Sequence, residues 1–119
     1  MEGSFKDLKI YEKSYKAAKA IYKNIASKFP KDEIYGLSSQ IKRASISIPL
    51  NIAEGYGKGE SVKELLRYVY MARGSVNEVI VLLDFARDMG YINPEEHRKA
   101  EEEYNEIGRM ITGFIKSKQ

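Results

Sequence analysis

The 119-residue sequence contains no cysteine and a single histidine. Without cysteine the chain forms neither a disulfide framework nor a thiolate metal site, which suits a reducing compartment. The sequence also lacks any run of about 18 apolar residues, and its lysine-rich first segment lacks the apolar stretch of a signal peptide. These absences predict a soluble, cytoplasmic protein with no membrane association.

The scarcity of histidine limits the chemistry that the chain can perform. A di-iron site in a helical bundle needs Glu-x-x-His motifs from two helices, and a serine nucleophile needs a histidine partner. His97 follows Pro94 in the predicted first turn of a helix, where we expect it to lie on the apolar face that packs against the other helices. We therefore predict no metal, no cofactor and no catalytic residue, with Glu54 and Glu78 as an acid and base pair the remaining enzymatic alternative.

Sustained period-two alternation is absent, so the sequence predicts no sheet. Apolar residues recur three and four apart in four segments, which is typical of amphipathic helices. N-cap side chains three residues before an acid, such as Asn93 before Glu96, agree with this pattern. The sequence predicts one all-α domain over residues 1–119, an antiparallel up-down-up-down four-helix bundle with helices at about 5–29, 32–55, 62–89 and 94–116.

Positive charge is concentrated at the N-terminal end. The net charge is +3, whereas residues 1–31 carry eight lysines and three acidic residues, an excess of +5. On a helical projection, one stripe collects Lys6, Lys9, Lys13, Lys16, Lys19 and Lys23. This helix-one lysine stripe has two interpretations, a solvated face or a surface that binds phosphates together with Arg43 and Lys58.

Opposite the lysines lies an apolar arc that covers nearly half the circumference of helix one. It consists of the apolar residues that recur three and four apart on this helix and, beside them, Ile10, Ala17 and Ile21. Because exposed apolar surfaces of this width normally mark an interface, the arc predicts a homo-oligomer. Tyr11, Tyr15 and Tyr22 lie on the same arc and are interpreted as core or interface residues, not as base-stacking residues.

The segment RASISIPLNIAEGYGKG at residues 43–59 places a proline and three glycines at the end of helix two. Its spacing does not match a phosphate-binding Walker A loop, and it follows a helix instead of a strand. We expect Gly55 or Gly57 to end the helix in a left-handed conformation. Pro49 predicts a kink, or the start of a new helical half, near Ser45, with Ser47 bonding the freed carbonyls.

Polar residues border the apolar seam of helix two at offsets of four, four and three, and small residues follow on helix three. The helix-two residues are Arg43, Ser47, Asn51 and Glu54, and the helix-three residues are Gly74 and Ser75, with Glu78 one turn beyond. We expect the two small residues to let the helices approach closely. We also expect Arg43 to pair with Glu78 or Glu54 across the bundle.

Three segments carry a family resemblance: FKDLKIYEKSY, FPKDEIYGLSSQIKRASISIPLNIAEGYGKG and YMARGSVNEVIVLLDFARDMGYI. They resemble the four-helix-bundle proteins encoded in intervening sequences of bacterial 23S ribosomal RNA genes, over nearly the whole chain. The resemblance implies a homopentameric barrel around a central channel. It also implies a more distant similarity to accessory proteins of diversity-generating retroelements, which have a basic surface and bind nucleic acid and a reverse transcriptase.

Two functions agree with these observations. The first is a non-enzymatic oligomeric protein that associates with nucleic acid, either RNA in general or ribosomal RNA, through its basic surface. The second is a protein–protein assembly or adaptor module, whose partner the sequence does not identify and whose lysines serve solubility. Salt dependence separates the two, because phosphate binding weakens steeply as salt rises.

Overall fold

The computed structural model describes residues 3–58 and 61–119, and within these ranges it contains four long helices and no strand. The helices are α1 (Lys9–Ala20), α2 (Leu37–Gly57), α3 (Val62–Asp88) and α4 (Pro94–Lys118). Each helix packs against the next, and α1 also contacts α4, which closes a bundle with extents of 44 × 23 × 19 Å. The predicted all-α four-helix fold is confirmed.

All four helices contribute to one hydrophobic core. Its buried side chains recur three or four positions apart within each helix: Ile41, Ala44, Ile48 and Ile52 in α2, Val69, Ala72, Val76, Val79 and Leu83 in α3, and Tyr104, Ile107 and Ile111 in α4. This spacing is the stripe that the sequence predicts. In the described part of the chain, no helix is both long and apolar enough to cross a membrane.

Helix one is less regular than its periodicity predicts. It begins as a 3-10 turn at Phe5–Asp7, which Ser4 and Asp7 cap reciprocally, and Leu8 then adopts an extended conformation. After α1 the helix widens into a π-helix at Ile21–Ile25 and tightens into a 3-10 turn at Ala26–Lys28. The region of the predicted helix is therefore helical almost throughout, with three changes of hydrogen-bond register.

Helix two starts later than residue 32. Residues Lys31–Glu33 form a 3-10 turn, and the carboxylate of Glu33 accepts a hydrogen bond from the amide of Leu37 at 3.0 Å. This bond satisfies one of the free amides at the start of α2. The helix then continues through Pro49 as one element, so no new helical half starts there, and the Ser47 hydroxyl bonds the carbonyl of Ala44 at 2.9 Å.

The expected left-handed glycine cap on α2 is wrong. Neither Gly55 nor Gly57 has a positive φ, and both are part of the helix. Gly55 is buried at a close contact between α2 and α3, since a Cβ there would lie 2.8 Å from Cβ of Tyr68. The left-handed cap occurs instead after α3, where Gly90 has φ +78° and the amide of Tyr91 bonds the carbonyl of Ala86.

Candidate nucleic-acid interface

The six lysines of the helix-one stripe differ in their surroundings. Lys13 lies against α4, with its Nζ 3.3 Å from carboxylate oxygens of both Glu103 and Glu106. The hydrogen bonds that Lys13 donates to the carboxylates of Glu103 and Glu106 raise the pKa of Lys13 above its usual value. Lys16 pairs with Glu12 at 3.1 Å on the exposed surface. These two lysines are already neutralised by acids of the same chain.

The other four lysines of the stripe are exposed and have no ion pair within residues 3–58 and 61–119. Lys6 and Lys9 lie at the beginning of helix one, and Lys19 and Lys23 lie at the end of α1 and in the π-helix. Lys19 also sits 5.5 Å above the ring centre of Tyr15. The stripe is thus two pairs of free cations separated by a neutralised centre.

The other two predicted cations are exposed on α2. Arg43 donates to the hydroxyl of Ser39 at 3.3 Å, and Lys58 follows the last turn of α2 with its Nζ 5.9 Å from the ring centre of Tyr68. Residues 59 and 60, where the glycine-rich segment continues, lie outside the described residues.

A second cationic surface, which the sequence analysis missed, lies between α3 and α4. It is an open groove of about 480 Å³ that contains three cations and no acid among its described lining residues. Arg73 comes from α3, and Arg109 and Lys116 come from α4, with Asn77, Asn105 and Thr112 supplying hydrogen-bonding groups. Polar residues three and four apart on α4, at Asn105, Arg109, Thr112 and Lys116, are the signal that could have found it.

The predicted ion pair of Arg43 does not form within the chain. Arg43, Glu54 and Glu78 are all exposed, and no salt bridge joins Arg43 to either acid in the described part of the protein. On the helical projection Arg43 and Glu54 lie on the outer face of α2, and Glu78 lies on that of α3. The prediction was wrong because sequence spacing gives the face of each helix but not how far apart two outer faces lie.

Only the serines of the predicted polar network meet across the two helices. The hydroxyl oxygens of Ser47 and Ser75 lie 2.5 Å apart, and Asn51 donates to the carbonyl of Ser47 at 2.8 Å. Gly74 is exposed and has no atom within 4 Å of where a Cβ would stand. Close approach of α2 and α3 therefore depends on Gly55 and not on Gly74.

The apolar arc of helix one is partly buried and partly exposed. Ile10, Ala17 and Ile21 are buried, whereas Tyr15 and Tyr22 keep 47% and 38% of their surface exposed. These two tyrosines line an apolar groove of about 550 Å³ between helix one and α2, together with Tyr11, Ile46, Pro49 and Leu50. The bundle thus leaves uncovered an apolar surface that a soluble monomer would normally bury.

The fold and these surfaces define a class: an all-α four-helix bundle protein with free cationic surfaces and exposed apolar faces. A family model described as the 23S rRNA-intervening sequence protein matches residues 6–113. The chain therefore belongs to that family, as its resemblance predicts.

A solved structure has the same fold. It is a protein of unknown function from the S23 ribosomal protein family of Bacteroides thetaiotaomicron VPI-5482, with a TM-score of 0.78 and 24% sequence identity. The match covers 90% of this chain and 98% of that one. The comparison with curated proteins found no match.

Proposed function

We propose that this chain is a non-enzymatic, homo-oligomeric protein of the cytoplasm that associates with RNA through its free cations. The observation that carries the proposal is the groove between α3 and α4, where Arg73, Arg109 and Lys116 surround a polar, acid-free surface. Arginine and lysine in such a setting bind phosphates and release counterions. The names of the family and of the Bacteroides protein family, which refer to ribosomal RNA and to a ribosomal protein, favour RNA as the ligand.

The free lysines of helix one extend this surface. Lys6, Lys9, Lys19 and Lys23 lie outside ion pairs of the described chain, so their charge is available to a polyanion. In an oligomer every subunit would repeat both surfaces, and several weak contacts would act together on one RNA. The RNA backbone, and not the identity of its bases, is the feature that these cations recognise.

The proposal of a non-enzymatic role rests on the acidic residues. Glu54 and Glu78 are both exposed. An acid and base pair acts best in a pocket that excludes water and shifts their pKa values. Within one chain these two carboxylates are open to solvent, which argues against their acting as an acid and base pair.

Oligomerisation is supported by two outer faces that carry apolar residues and opposite charges. On α2, Arg43 lies beside Ile46 and Leu50, the last of which is 60% exposed. On α3, Glu78 lies beside Val81 and Phe85, which are 52% and 58% exposed.

We infer that the α2 face of one copy contacts the α3 face of the next, with Arg43 near the partner's Glu78. Head-to-tail contacts form a ring when the rotation between subunits closes, and a ring suits the pentamer that the family resemblance implies.

A charge exchange tests this contact. Arg43→Glu or Glu78→Arg alone should lower the mass measured by sedimentation equilibrium, because each places like charges together. The double variant should restore the assembly. Arg67→Glu, on the exposed surface of α3, is the control. Monomeric wild-type protein at micromolar concentration would refute the oligomer, and single variants that keep the full mass would refute this interface.

RNA binding is tested by fluorescence anisotropy of a labelled structured RNA at several salt concentrations. The groove variant Arg73→Gln, Arg109→Gln and Lys116→Gln should weaken binding and reduce the slope of log K against log salt by about 2 to 3, because each phosphate contact contributes roughly 0.7 to 0.9. A variant of Lys6, Lys9, Lys19 and Lys23 to glutamine tests helix one separately.

Matched controls remove the same charge elsewhere. Lys63→Gln, Arg67→Gln and Arg98→Gln together lower the net charge as much as the groove variant does, but two of these residues already pair with acids. The control should bind nearly as tightly as the wild-type protein. Equal losses in both triple variants would mean that only net charge matters. No binding at low salt would refute the RNA proposal and favour an adaptor that holds a protein in the apolar groove of helix one and α2.

A further inference from the structure

Three metal-binding side chains meet at the junction of α3 and α4. His97 Nε2 lies 2.8 Å from the carboxylate of Asp84 and 3.8 Å from that of Glu101, and the three ligand atoms all lie within 4.8 Å of one another. Asp84 comes from the last turns of α3, whereas His97 and Glu101 are one turn apart on α4. The cluster therefore links the two helices across their connecting turn.

Burial distinguishes this cluster from an ordinary group of surface acids. The side chain of His97 is only 6% exposed and faces both carboxylates, each of which is partly exposed. Burial fixes the imidazole, while the partly exposed carboxylates leave a path from solvent. Imidazole nitrogen and carboxylate oxygen are both ligands that divalent transition metals such as zinc accept in proteins.

The spacing of the ligand atoms also fits such an ion. Tetrahedral zinc with bonds of about 2.0 to 2.2 Å places its ligand atoms about 3.4 Å apart. The two separations from His97 Nε2, 2.8 and 3.8 Å, lie on either side of this value, and the two carboxylates lie within 4.8 Å of each other, so the side chains would have to rotate to complete the site. Three protein ligands leave a further position for water or an exogenous ligand.

Arg87 is the group that competes with a metal ion. Its Nη1 lies 3.4 Å from His97 Nε2 and 3.9 Å from Asp84, so the guanidinium occupies the edge of the cluster. Arg87 also pairs with Asp88 through its Nε at 2.9 Å and is partly exposed. The guanidinium can therefore turn outward toward Asp88 while the three ligand atoms remain in place.

We propose that Asp84, His97 and Glu101 bind a divalent transition-metal ion and that this ion links α3 to α4. Zinc is the metal used to test the proposal. Coordination through Nε2 uses the neutral imidazole tautomer that carries its proton on Nδ1, so that the lone pair of Nε2 is free for the metal. The charged groups around His97 are Asp84, Glu101 and Arg87. Magnesium, which prefers oxygen ligands and keeps its waters, should not compete.

The single histidine allows a direct test. In a ¹H–¹⁵N spectrum of the full chain labelled at histidine, every imidazole signal belongs to His97, so zinc binding is read without assignment. Titration with ZnCl₂ should shift these signals, and MgCl₂ should not. Isothermal titration calorimetry gives the stoichiometry, expected to be one zinc ion per chain.

Variants then identify the other ligands. Asp84→Asn and Glu101→Gln should each weaken zinc binding at least about tenfold. Mutation of residues that only hydrogen-bond a metal ligand already lowers metal affinity by about 10- to 100-fold. Glu102→Gln is the matched control, because it is exposed on the same helix, pairs with Arg98 and is not in the cluster. Arg87→Gln should strengthen binding by removing the competing cation.

Unmoved His97 signals at a two-fold excess of zinc would overturn the proposal. Equal affinity in the wild-type protein and in the Asp84 and Glu101 variants would overturn it as well, because the zinc would then bind elsewhere. The two carboxylate variants retain the buried imidazole, so the test does not depend on whether a His97 variant folds.

Discussion

The substitution Gly55→Ala tests whether the close contact of α2 with α3 at this residue requires a glycine. A Cβ at this position would lie 2.8 Å from Cβ of Tyr68 and 3.1 Å from the carbonyl oxygen of Leu65. Neither atom is at the end of a flexible side chain, so the helices themselves must move apart. Overpacking of this kind costs about 1 to 3 kcal/mol, and the rigid neighbours place Gly55→Ala toward the upper end.

Alanine also stabilises a helix by up to about 1 kcal/mol relative to glycine, which offsets part of that cost. The net loss should be about 2 kcal/mol. With a urea m-value of about 2 kcal/mol/M, the unfolding midpoint would fall by about 1 M. Circular dichroism at 222 nm measures this midpoint, at two protein concentrations so that any effect on assembly is visible.

Gly113→Ala provides the control within the same bundle. Gly113 is an interior residue of α4, is exposed and has no atom within 4 Å of where its Cβ would stand. Without a steric cost, the substitution should stabilise the protein by about 0.5 to 1 kcal/mol. If Gly55→Ala were neutral or stabilising, as Gly113→Ala should be, the close approach of α2 and α3 would not require a glycine.

Three further substitutions address hydrogen bonds. Tyr104→Phe should stabilise the fold by about 1 kcal/mol in urea denaturation, because the buried hydroxyl, whose pKa burial raises, has no hydrogen-bond partner in the described residues. Ser75→Ala should cost about 1 kcal/mol by removing the hydroxyl contact between α2 and α3. The pKa of Glu33 is lowered by the amide of Leu37 and then by the hydroxyl of Tyr91, so its contribution exists above the unfolded pKa of about 4.3 and is lost as pH falls through the folded value. Glu33→Gln should therefore show a smaller fall in urea midpoint between pH 6 and pH 3 than the wild-type chain, and equal falls would contradict this assignment.

The sequence by itself determined the helices and the buried side of each. Helix formation and amphipathic burial depend on residues three and four apart, which are neighbours on the same helix whatever surrounds them. Leu83 and Ile111 are completely buried for this reason, and Asn93 with Glu96 forms the predicted capping box.

The tertiary structure decided which side chains of different helices meet. Contacts between helices depend on their relative rotation and axial offset, and one residue of offset turns a side chain by about 100°. For this reason Gly55 became a packing residue instead of a cap, and Arg43 is exposed without an ion pair to Glu54 or Glu78 in the described chain.

The same reason explains the sites that the sequence did not reveal. Arg73 meets Arg109 in one groove, and His97 meets Asp84, although each pair is far apart along the chain. No local pattern connects such residues, because only the packing of α3 against α4 brings them together. The sequence determined which charged and potentially coordinating side chains this protein carries, and the packing of the bundle determined which of them lie close together.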